Sequence, residues 1–352
     1  MSTDAEHRLT NLTLTGSHYD IGLQLGRQGA AAVHGHLVRT HAWATVMALW
    51  DDERMQAMRC LVEECYPRYL QELCGLADGL ALPFDDVFAW NCRGDVRAMA
   101  PDGCTTVQLP GPAPVVAHNE DGDPGLRAGC ALARIAPDGD RAFTTFVYPG
   151  SIPGHTFAIN DAGLVLTVNN IRSRHGGDGL PRMVLGRAVA GCESADAAVA
   201  LLRQAPRAGA FHFTLAEARR TRLVSVEFTH TRCSVEEIDR PSVHANHLVH
   251  AAMQSEPQVV TASSAARQNR GQEMLDIAAG LPDSLPDPLS ILHDKACPAL
   301  PIHRTQPDDP DNENTLATAV FKITGDGIDW CVYDGAGAAV RSARTQPDFA
   351  LS

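Results

Sequence analysis

The chain has 352 residues, of which 44% are hydrophobic and 20% are charged, and its formal net charge is −13. Such a chain can bury a large core in one or two domains, and its composition is ordinary for a soluble globular protein. The acidic balance argues against nucleic acid or an anionic membrane as a partner, and the lack of any run of about 18 apolar residues argues against a membrane span.

The first third of the chain predicts helices. Residues 1–8 are polar and acidic and lack the basic-then-apolar layout of a signal peptide, which favours a cytoplasmic protein. Ser17 can cap a helix that carries Asp20 in its first turn. Gly22 and Gly26 follow in an apolar stripe and would let a second helix approach closely. We expect helices in residues 17–80, including one stretch over 52–80, and another over 84–97, which makes the first third all-helical.

From Cys104 onward the pattern changes to short β-branched segments bounded by Gly, Pro, Asn or Asp, which are typical of strands. Two helices, over 181–204 and 261–279, lie between them. Residues 205–210 and 281–288 are expected to be loops, and the acidic segment 306–313 to be an exposed mobile loop. The predicted strands cover 105–109, 114–118, 142–148, 155–159, 164–169, 223–229, 242–248, 318–323 and 328–333.

Cysteine usage singles out one residue by its context. The ten cysteines are scattered without a Cys-x-x-Cys pair, which disfavours a zinc ribbon or a thioredoxin-like site. We expect reduced thiols, most of them small buried hydrophobic residues. Cys104 differs because it follows Gly103 at the head of a predicted strand. Glycine there allows a strained peptide geometry that a thiol could attack.

Attack by Cys104 on the Gly103 carbonyl would cut the chain between these two residues. The product would be an N-terminal cysteine, whose α-amino group has an unperturbed pKa of about 7.7–8.0. That amine could serve as the base for its own thiol, so that attack on a substrate amide gives a thioester. Water or an amine would then resolve the thioester.

A thioester mechanism needs donors for the developing oxyanion. Asparagine amides at strand ends are candidates, namely Asn169, Asn170 and Asn246, although asparagine at a strand end is more often a turn residue. Asp121 could orient the nucleophile and its ammonium, or it could simply end a strand. Arg172 could bind a substrate carboxylate through bidentate contacts, or it could be solvated.

Other patterns give weaker indications. His244, His247 and His250 have a spacing that could suggest a metal site, but on the strand predicted for 242–248 their side chains would not converge. Calcium, serine-nucleophile and nucleotide motifs each lack a required residue. We therefore predict no metal and no cofactor.

Several segments together resemble the acyl-CoA:isopenicillin N acyltransferase family, a self-processing branch of the N-terminal-nucleophile hydrolases that includes carcinine and β-alanyl-amine hydrolases. The resemblance covers nearly the whole chain, and it depends on the order and spacing of the motifs. They are Asp-Ile-Gly-x-x-x-Gly at 20–26, the segment 66–79, Asn-x-Arg at 91–93, Asp-Gly-Cys-Thr-Thr at 102–106, Asn-Glu-Asp at 119–121, Asn-His at 246–247 and Asn-Thr-Leu-Ala-Thr at 314–318.

The resemblance implies an α+β fold, a four-layer αββα sandwich with a helical N-terminal segment, and cleavage between Gly103 and Cys104. It implies a helical α chain, 1–103, that stays packed on a β chain, 104–352. It also implies Cys104 as nucleophile, Asp121 as its orienting carboxylate and Asn246 as oxyanion donor, with Asn169 or Asn170 as a second pocket amide.

Substrate binding is assigned to His118, Asn119 and Arg172. The related bile-salt hydrolases carry arginine at the position of His118, so here a titratable imidazole would be the cation beside the thiolate.

These features lead to one principal hypothesis, a self-processing cysteine amidohydrolase or acyltransferase that cleaves a small N-acyl or aminoacyl amide. Hydrolysis is favoured because no basic patch suits the phosphates of coenzyme A. Two alternatives stay open: an acyl-CoA-dependent N-acyltransferase of the penicillin-biosynthesis type, and an unprocessed, non-catalytic homologue. The expected partners are a small amide substrate and the cleaved α chain, and a homo-oligomer is left open.

Overall fold

The computed structural model describes residues 9–49, 53–97, 103–280, 286–306 and 312–347. Two β-sheets face each other at its centre. The strands are β1 Thr10–Gly16, β2 Gly103–Leu109, β3 Val115–Gly122, β4 Ala131–Pro137, β5 Phe143–Val147, β6 Phe157–Asn160, β7 Leu164–Asn170, β8 Phe211–Glu217, β9 Leu223–Phe228, β10 Cys233–Glu237, β11 Ser242–His244, β12 Asn314–Thr324, β13 Gly327–Asp334 and β14 Ala339–Thr345.

Helices cover the outer faces of both sheets. They are α1 His18–Gly35, α2 His41–Met47, α3 Glu53–Cys65, α4 Pro67–Leu80, α5 Phe84–Asn91, α6 Arg93–Val96, α7 Arg182–Ala190, α8 Ala195–Gln204, α9 Ala262–Ala279 and α10 Pro288–Leu292. None of the helices in these described ranges combines the length and the apolar character that a bilayer crossing needs.

The first sheet has the order β1-β4-β5-β6-β7-β8-β9-β10 and the second the order β11-β2-β3-β12-β13-β14. Neighbouring strands run antiparallel except β1 and β4, which run parallel. Helices α7 and α8 pack on the first sheet, α9 and α10 pack on the second, and β2 meets β7 between the sheets. This arrangement confirms the predicted four-layer αββα sandwich.

The N-terminal segment contains a strand as well as helices. The expectation of an all-helical first third is wrong, because β1 adds to the edge of the first sheet with Leu14 buried in its core. Ser17 caps α1 in a capping box with Asp20, as expected. The close packing of α1 on α4 depends on glycine, because a Cβ at Gly22 would lie 1.9 Å from the carbonyl oxygen of Glu72.

Several predicted boundaries need correction. The helix expected over 52–80 breaks at Tyr66, because Pro67 lacks the N–H needed inside a helix and instead begins α4. The segments predicted as single helices over 84–97 and 181–204 are each divided into two. Part of each loop expected at 281–288 and 306–313 lies outside the described residues.

Besides β1, strands β4, β8, β10 and β14 were not predicted. Strand β8 is buried on both faces along almost all of its length, although its sequence, Phe-His-Phe-Thr-Leu-Ala-Glu, begins with an apolar/polar alternation. The strand expected over 242–248 ends at His244. His247 and His250 therefore lie outside it, and strand alternation does not determine where their side chains point. The expectation that most cysteines are buried is also wrong, since only Cys92, Cys104 and Cys130 are.

Candidate active site

Gly103 and Cys104 lie together at the start of β2, with the peptide bond between them intact. Cys104 is 3% exposed, and its thiol faces the first sheet, where Sγ donates to the carbonyl oxygen of Val168 at 3.3 Å. Burial raises the pKa of Cys104 well above its ordinary value, and the nearby Glu120 carboxylate raises it further. The structure therefore holds a protonated thiol beside the predicted scissile bond.

Asn246 contacts both the backbone and the side chain of Cys104. Its Oδ1 accepts from the Cys104 N–H at 3.0 Å, and its Nδ2 donates to Sγ at 3.3 Å. Nδ2 also donates to the carbonyl oxygen of Asn170 at 3.1 Å, and Ser264 Oγ accepts from the Asn246 N–H at 2.9 Å. This amide is fixed on both sides, as a preorganised donor must be.

Arg267, on α9, is a site residue that the sequence analysis missed. Its guanidinium is buried and donates to the carbonyl oxygen of Cys104, to Thr105 Oγ1 at 2.9 Å and to Asn246 Oδ1 at 2.7 Å. The segment 262–266 contains only alanine and serine, which leaves room for α9 to approach the sheet. An arginine directly after such a run was the signal available in the sequence.

Asp121 and Glu313 lie on the opposite side of β2 from the thiol. Asp121 pairs with Gly103 across the strands, and its Oδ1 accepts from Thr315 Oγ1 at 2.7 Å. Its other oxygen is buried without a hydrogen-bond partner among the described residues. A Cβ built on Gly103 would lie 2.3 Å from Oε2 of Glu313, so that carboxylate packs directly against Gly103.

Glu313 is buried and ion-paired, which corrects the expectation of an exposed acidic loop at this residue. Arg304 Nη1 donates to its Oε2 at 2.8 Å, and Arg172 Nη2 donates to its Oε1 at 3.4 Å. Burial raises the pKa of Glu313, although both arginines oppose the shift. Local sequence cannot show such pairing, because Arg172 is 141 residues away from Glu313.

The two asparagines at the end of β7 point in different directions. Asn169 faces the second sheet, where its Oδ1 accepts from Thr106 at 2.8 Å and its Nδ2 donates to the carbonyl oxygen of His244. The same Oδ1 also accepts from His212 on the neighbouring strand β8 at 2.8 Å. The Asn170 side chain accepts from Arg182, whereas its backbone N–H contacts the Cys104 thiol and lowers the pKa of that thiol. Of these two asparagines, Asn170 contacts the sulfur, and it does so through its backbone amide and not through its side chain.

His118 and Asn119 lie within the sandwich. Burial lowers the pKa of His118 to about 3, because desolvation disfavours the charged ring, so His118 is neutral near pH 7. The cation beside the nucleophile is Arg267 instead. Asn119 Nδ2 donates to the carbonyl oxygen of Leu292 at 2.7 Å, and its Oδ1 accepts from Thr318 at 2.6 Å.

Glu313, which packs against Gly103, and Arg172 form part of the wall of a cavity of about 480 Å³; Gly103 and Cys104 themselves do not line it. Arg172 is 6% exposed, and its Nε has no hydrogen-bond partner among the described residues. Neither His118 nor Asn119 is among the lining residues. The remaining lining residues are His36, Leu37, Thr40, His41, Ala42, Trp90, Arg93, Arg97, Asp123, Leu126, Tyr148, Pro149, Ser151, Thr261 and Asn312.

This chain is similar to several characterised proteins. Beta-alanyl-dopamine/carcinine hydrolase of Drosophila melanogaster is 24% identical over 216 residues, which cover 54% of this chain and 56% of that relative. The alignment thus spans just over half of the relative's length.

Solved structures also match, among them a conjugated bile acid hydrolase and a penicillin V acylase. Conjugated bile acid hydrolase from Clostridium perfringens, in a variant form, has a TM-score of 0.41 and 9% identity over 71% of this chain and 99% of that chain. Penicillin V acylase from Agrobacterium tumefaciens has a TM-score of 0.36 and 13% identity over 66% of this chain and 86% of that chain.

A family model described as acyl-coenzyme A:6-aminopenicillanic acid acyl-transferase matches residues 109–336. The matched segment begins after Cys104 and contains Asp121, Asn246, Arg267 and Glu313. It covers well over half of the chain, and the chain therefore belongs to the acyl-coenzyme A:6-aminopenicillanic acid acyl-transferase family.

Proposed function

We propose that this chain is a self-processing cysteine amidohydrolase that uses Cys104 to cleave a small N-acyl or aminoacyl amide. The observation that carries the proposal is the enclosure of Cys104, whose thiol and N–H contact Asn246 while Arg267 holds its carbonyl. A cysteine that served only to fill the core would not need hydrogen bonds to Asn246 and Arg267. Family membership and the similarity to a carcinine hydrolase support amide substrates.

The first reaction of the proposed enzyme is its own cleavage. Cys104 Sγ attacks the carbonyl carbon of Gly103, the C–N bond to Cys104 breaks, and a thioester joins Gly103 to the sulfur. Water then hydrolyses this thioester, leaving a carboxylate on Gly103 and a free amine on Cys104.

After cleavage the new α-amine provides the base that a buried thiol otherwise lacks. Asp121 would orient this amine; the support is that Asp121 pairs with Gly103 across the strands and has one carboxylate oxygen without a hydrogen-bond partner among the described residues. Asn246 Nδ2 and the Asn170 N–H are the donors nearest to the sulfur, which makes them candidates for the oxyanion of a bound substrate.

The substrate would occupy the cavity lined by Glu313 and Arg172, whose volume suits a small molecule. Arg172 lines this cavity, and its guanidinium group can bind a carboxylate of the substrate. Residues from both sides of the cleavage point line this cavity. We therefore infer that the α chain, 1–103, stays bound to the β chain, 104–352, in the mature enzyme.

Acyl transfer is the second candidate, because the family model is described by an acyltransferase activity. Transfer and hydrolysis share the thioester and differ in whether an amine or water attacks it. The ten free cysteines favour a reducing compartment, so the proposal places the enzyme in the cytoplasm.

The test is hydrolysis of a panel of β-alanyl amides, other aminoacyl amides and N-acyl amines, followed by mass spectrometry with and without an acceptor amine. Cys104→Ala should abolish turnover, whereas Cys130→Ala should retain it. Cys130 is a matched control because it is also 3% exposed and near Glu120. Turnover by Cys104→Ala would contradict the proposal, and acyl exchange without net hydrolysis would favour the transferase.

A further inference from the structure

Self-cleavage raises a chemical problem that the mature enzyme does not have. Before cleavage the nitrogen of Cys104 is an amide, and its N–H donates to Asn246 Oδ1 at 3.0 Å. An amide nitrogen cannot serve as a base, so the amine proposed for the mature enzyme is not yet available. The buried thiol donates a hydrogen bond to the carbonyl oxygen of Val168. To attack, the sulfur must transfer its proton to another group.

Glu120 is the carboxylate closest to the thiol by strand register. Cys104 pairs with Glu120 across β2 and β3, and both residues are nearly completely buried. The N–H and carbonyl of Cys104 point away from β3, toward Asn246 and Arg267, so this is a non-hydrogen-bonded pair. In such pairs the Cα atoms are only about 4.5 Å apart and the side chains lie closer than in hydrogen-bonded pairs.

A chain of buried hydrogen bonds orients Glu120. Asn169 Nδ2 donates to the carbonyl oxygen of His244, which fixes Asn169 Oδ1 as an acceptor for the Thr106 hydroxyl at 2.8 Å. Because the one hydroxyl proton of Thr106 is used there, Thr106 accepts from Nδ1–H of His118, also at 2.8 Å.

The second ring nitrogen of His118 completes this chain. Its Nε2 lies 3.1 Å from Oε2 of Glu120. Because Nδ1–H of His118 is used on Thr106, the contact between Nε2 and Oε2 is a hydrogen bond only when one further proton lies between these two atoms. The pair can therefore accept a proton at the other Glu120 oxygen and return it later.

We propose that Glu120, held by His118, carries the proton from the Cys104 thiol to the Cys104 nitrogen during self-cleavage, a role that depends on the proposed function. The thiol proton moves to Oε1 of Glu120 as Sγ bonds to the Gly103 carbon, and the Oε2 proton shifts to Nε2 of His118. When the C–N bond breaks, Oε1 returns its proton to the leaving nitrogen and Nε2 returns its proton to Oε2. The step needs no other reactant, and Glu120 and His118 end as they began.

The test follows the appearance of the two fragments in freshly folded full-length protein by denaturing gel. General acid–base groups contribute about 10²–10⁴-fold to rate, so Glu120→Gln should slow cleavage by at least about 10²-fold. The fold-decrease in cleavage rate should be at least about tenfold larger than any fold-decrease in amide turnover per cleaved molecule. The reason is that the free α-amine replaces Glu120 as base after cleavage.

Glu227→Gln is the matched control. Glu227 is a buried carboxylate paired with His244 at 2.8 Å between the same two sheets, and the structure shows no contact between it and Cys104. The Glu227→Gln variant should cleave itself at a rate within about threefold of the wild-type rate, which is a change in activation free energy well under 1.4 kcal/mol. Equal slowing of both folded variants would overturn the proposal, as would a wild-type rate in Glu120→Gln. An uncleaved wild-type chain would instead contradict the proposed function.

If Glu120→Gln does not fold, His118→Gln provides the same test through the pH profile of cleavage. The titratable groups that interact with the pair are Cys104 on β2 and Cys130 beside β4, which both interact with Glu120, and His212 on β8, which interacts with His118. Removing the imidazole should change the pH dependence of cleavage because Glu120 then titrates without its partner. An unchanged profile would overturn the proposal.

Discussion

Replacing Gly103 by alanine tests the packing around the scissile bond. The added Cβ would lie 2.3 Å from Oε2 of Glu313. That oxygen would have to retreat by about 1 Å to reach an ordinary contact distance. It cannot do so freely, because Arg304 holds it at 2.8 Å and Arg172 holds the other oxygen at 3.4 Å. Overpacking of this kind costs about 1–3 kcal/mol.

The measurement is urea unfolding monitored by circular dichroism in a Cys104→Ala background, in which the chain should remain uncleaved. Gly103→Ala should lower the free energy of unfolding by about 1–3 kcal/mol. Gly35→Ala is the control, because nothing lies within 4 Å of its added Cβ, and it should not destabilise the protein.

A double-mutant cycle identifies the atom responsible. If the Glu313 carboxylate causes the clash, Gly103→Ala should cost at least about 1 kcal/mol less in a Glu313→Ala protein. The assignment is refuted if the two single-mutant costs add up to the double-mutant cost within about 0.5 kcal/mol. Such additivity would show that Glu313 does not resist the new methyl group.

Three further predictions follow from the site and its support. Asn246→Ala should reduce kcat for amide hydrolysis by about 10²–10³-fold in cleaved enzyme, the usual loss for one oxyanion donor, and an unchanged kcat would remove Asn246 from that role. Glu72→Gln should destabilise the protein by about 3 kcal/mol in urea unfolding, because the fully buried Arg187 loses its hydrogen-bonded carboxylate and keeps only Asp140, 3.9 Å from its Nη2. Burial would raise the pKa of Glu72, but Arg187 and His18 hold it below 4.5, so its stabilisation is complete above pH 4.5 and is lost as the pH falls through the lower folded value. Equal stability of wild type and Glu72→Gln near pH 7 would contradict this assignment. Finally, the two fragments should elute together in native size-exclusion chromatography, because β1 belongs to the first sheet and Leu14 to its core; separate elution would show that the α chain is released.

Sequence alone predicted the parts of this molecule that local pattern determines. Short apolar segments between turn residues marked most strands, and the capping box at Ser17 marked the first residue of α1. The order of motifs gave the four-layer architecture. Strand β8 was missed although Phe211, Phe213 and Leu215 alternate with His212 and Thr214; those two polar side chains are buried and hydrogen-bonded to Asn169 and Gln108.

The site was only partly predictable for a related reason. Cys104 and Asn246 could be proposed because each stands in a recognisable local motif. Arg267 and Glu313 acquire their roles through contacts with Cys104 and Gly103 that span more than a hundred residues. Buried charges of this kind are stable only when paired, and pairing is a property of the folded chain.

The most direct test of the account is the identity of the first residue of the larger fragment. Intact mass and stepwise N-terminal degradation of active protein should show that the fragment starts with Cys104, and the Cys104→Ala chain should remain whole. Active protein that consists solely of the uncut chain, or whose larger fragment starts at another residue, would contradict the central claim that this cysteine becomes an N-terminal nucleophile.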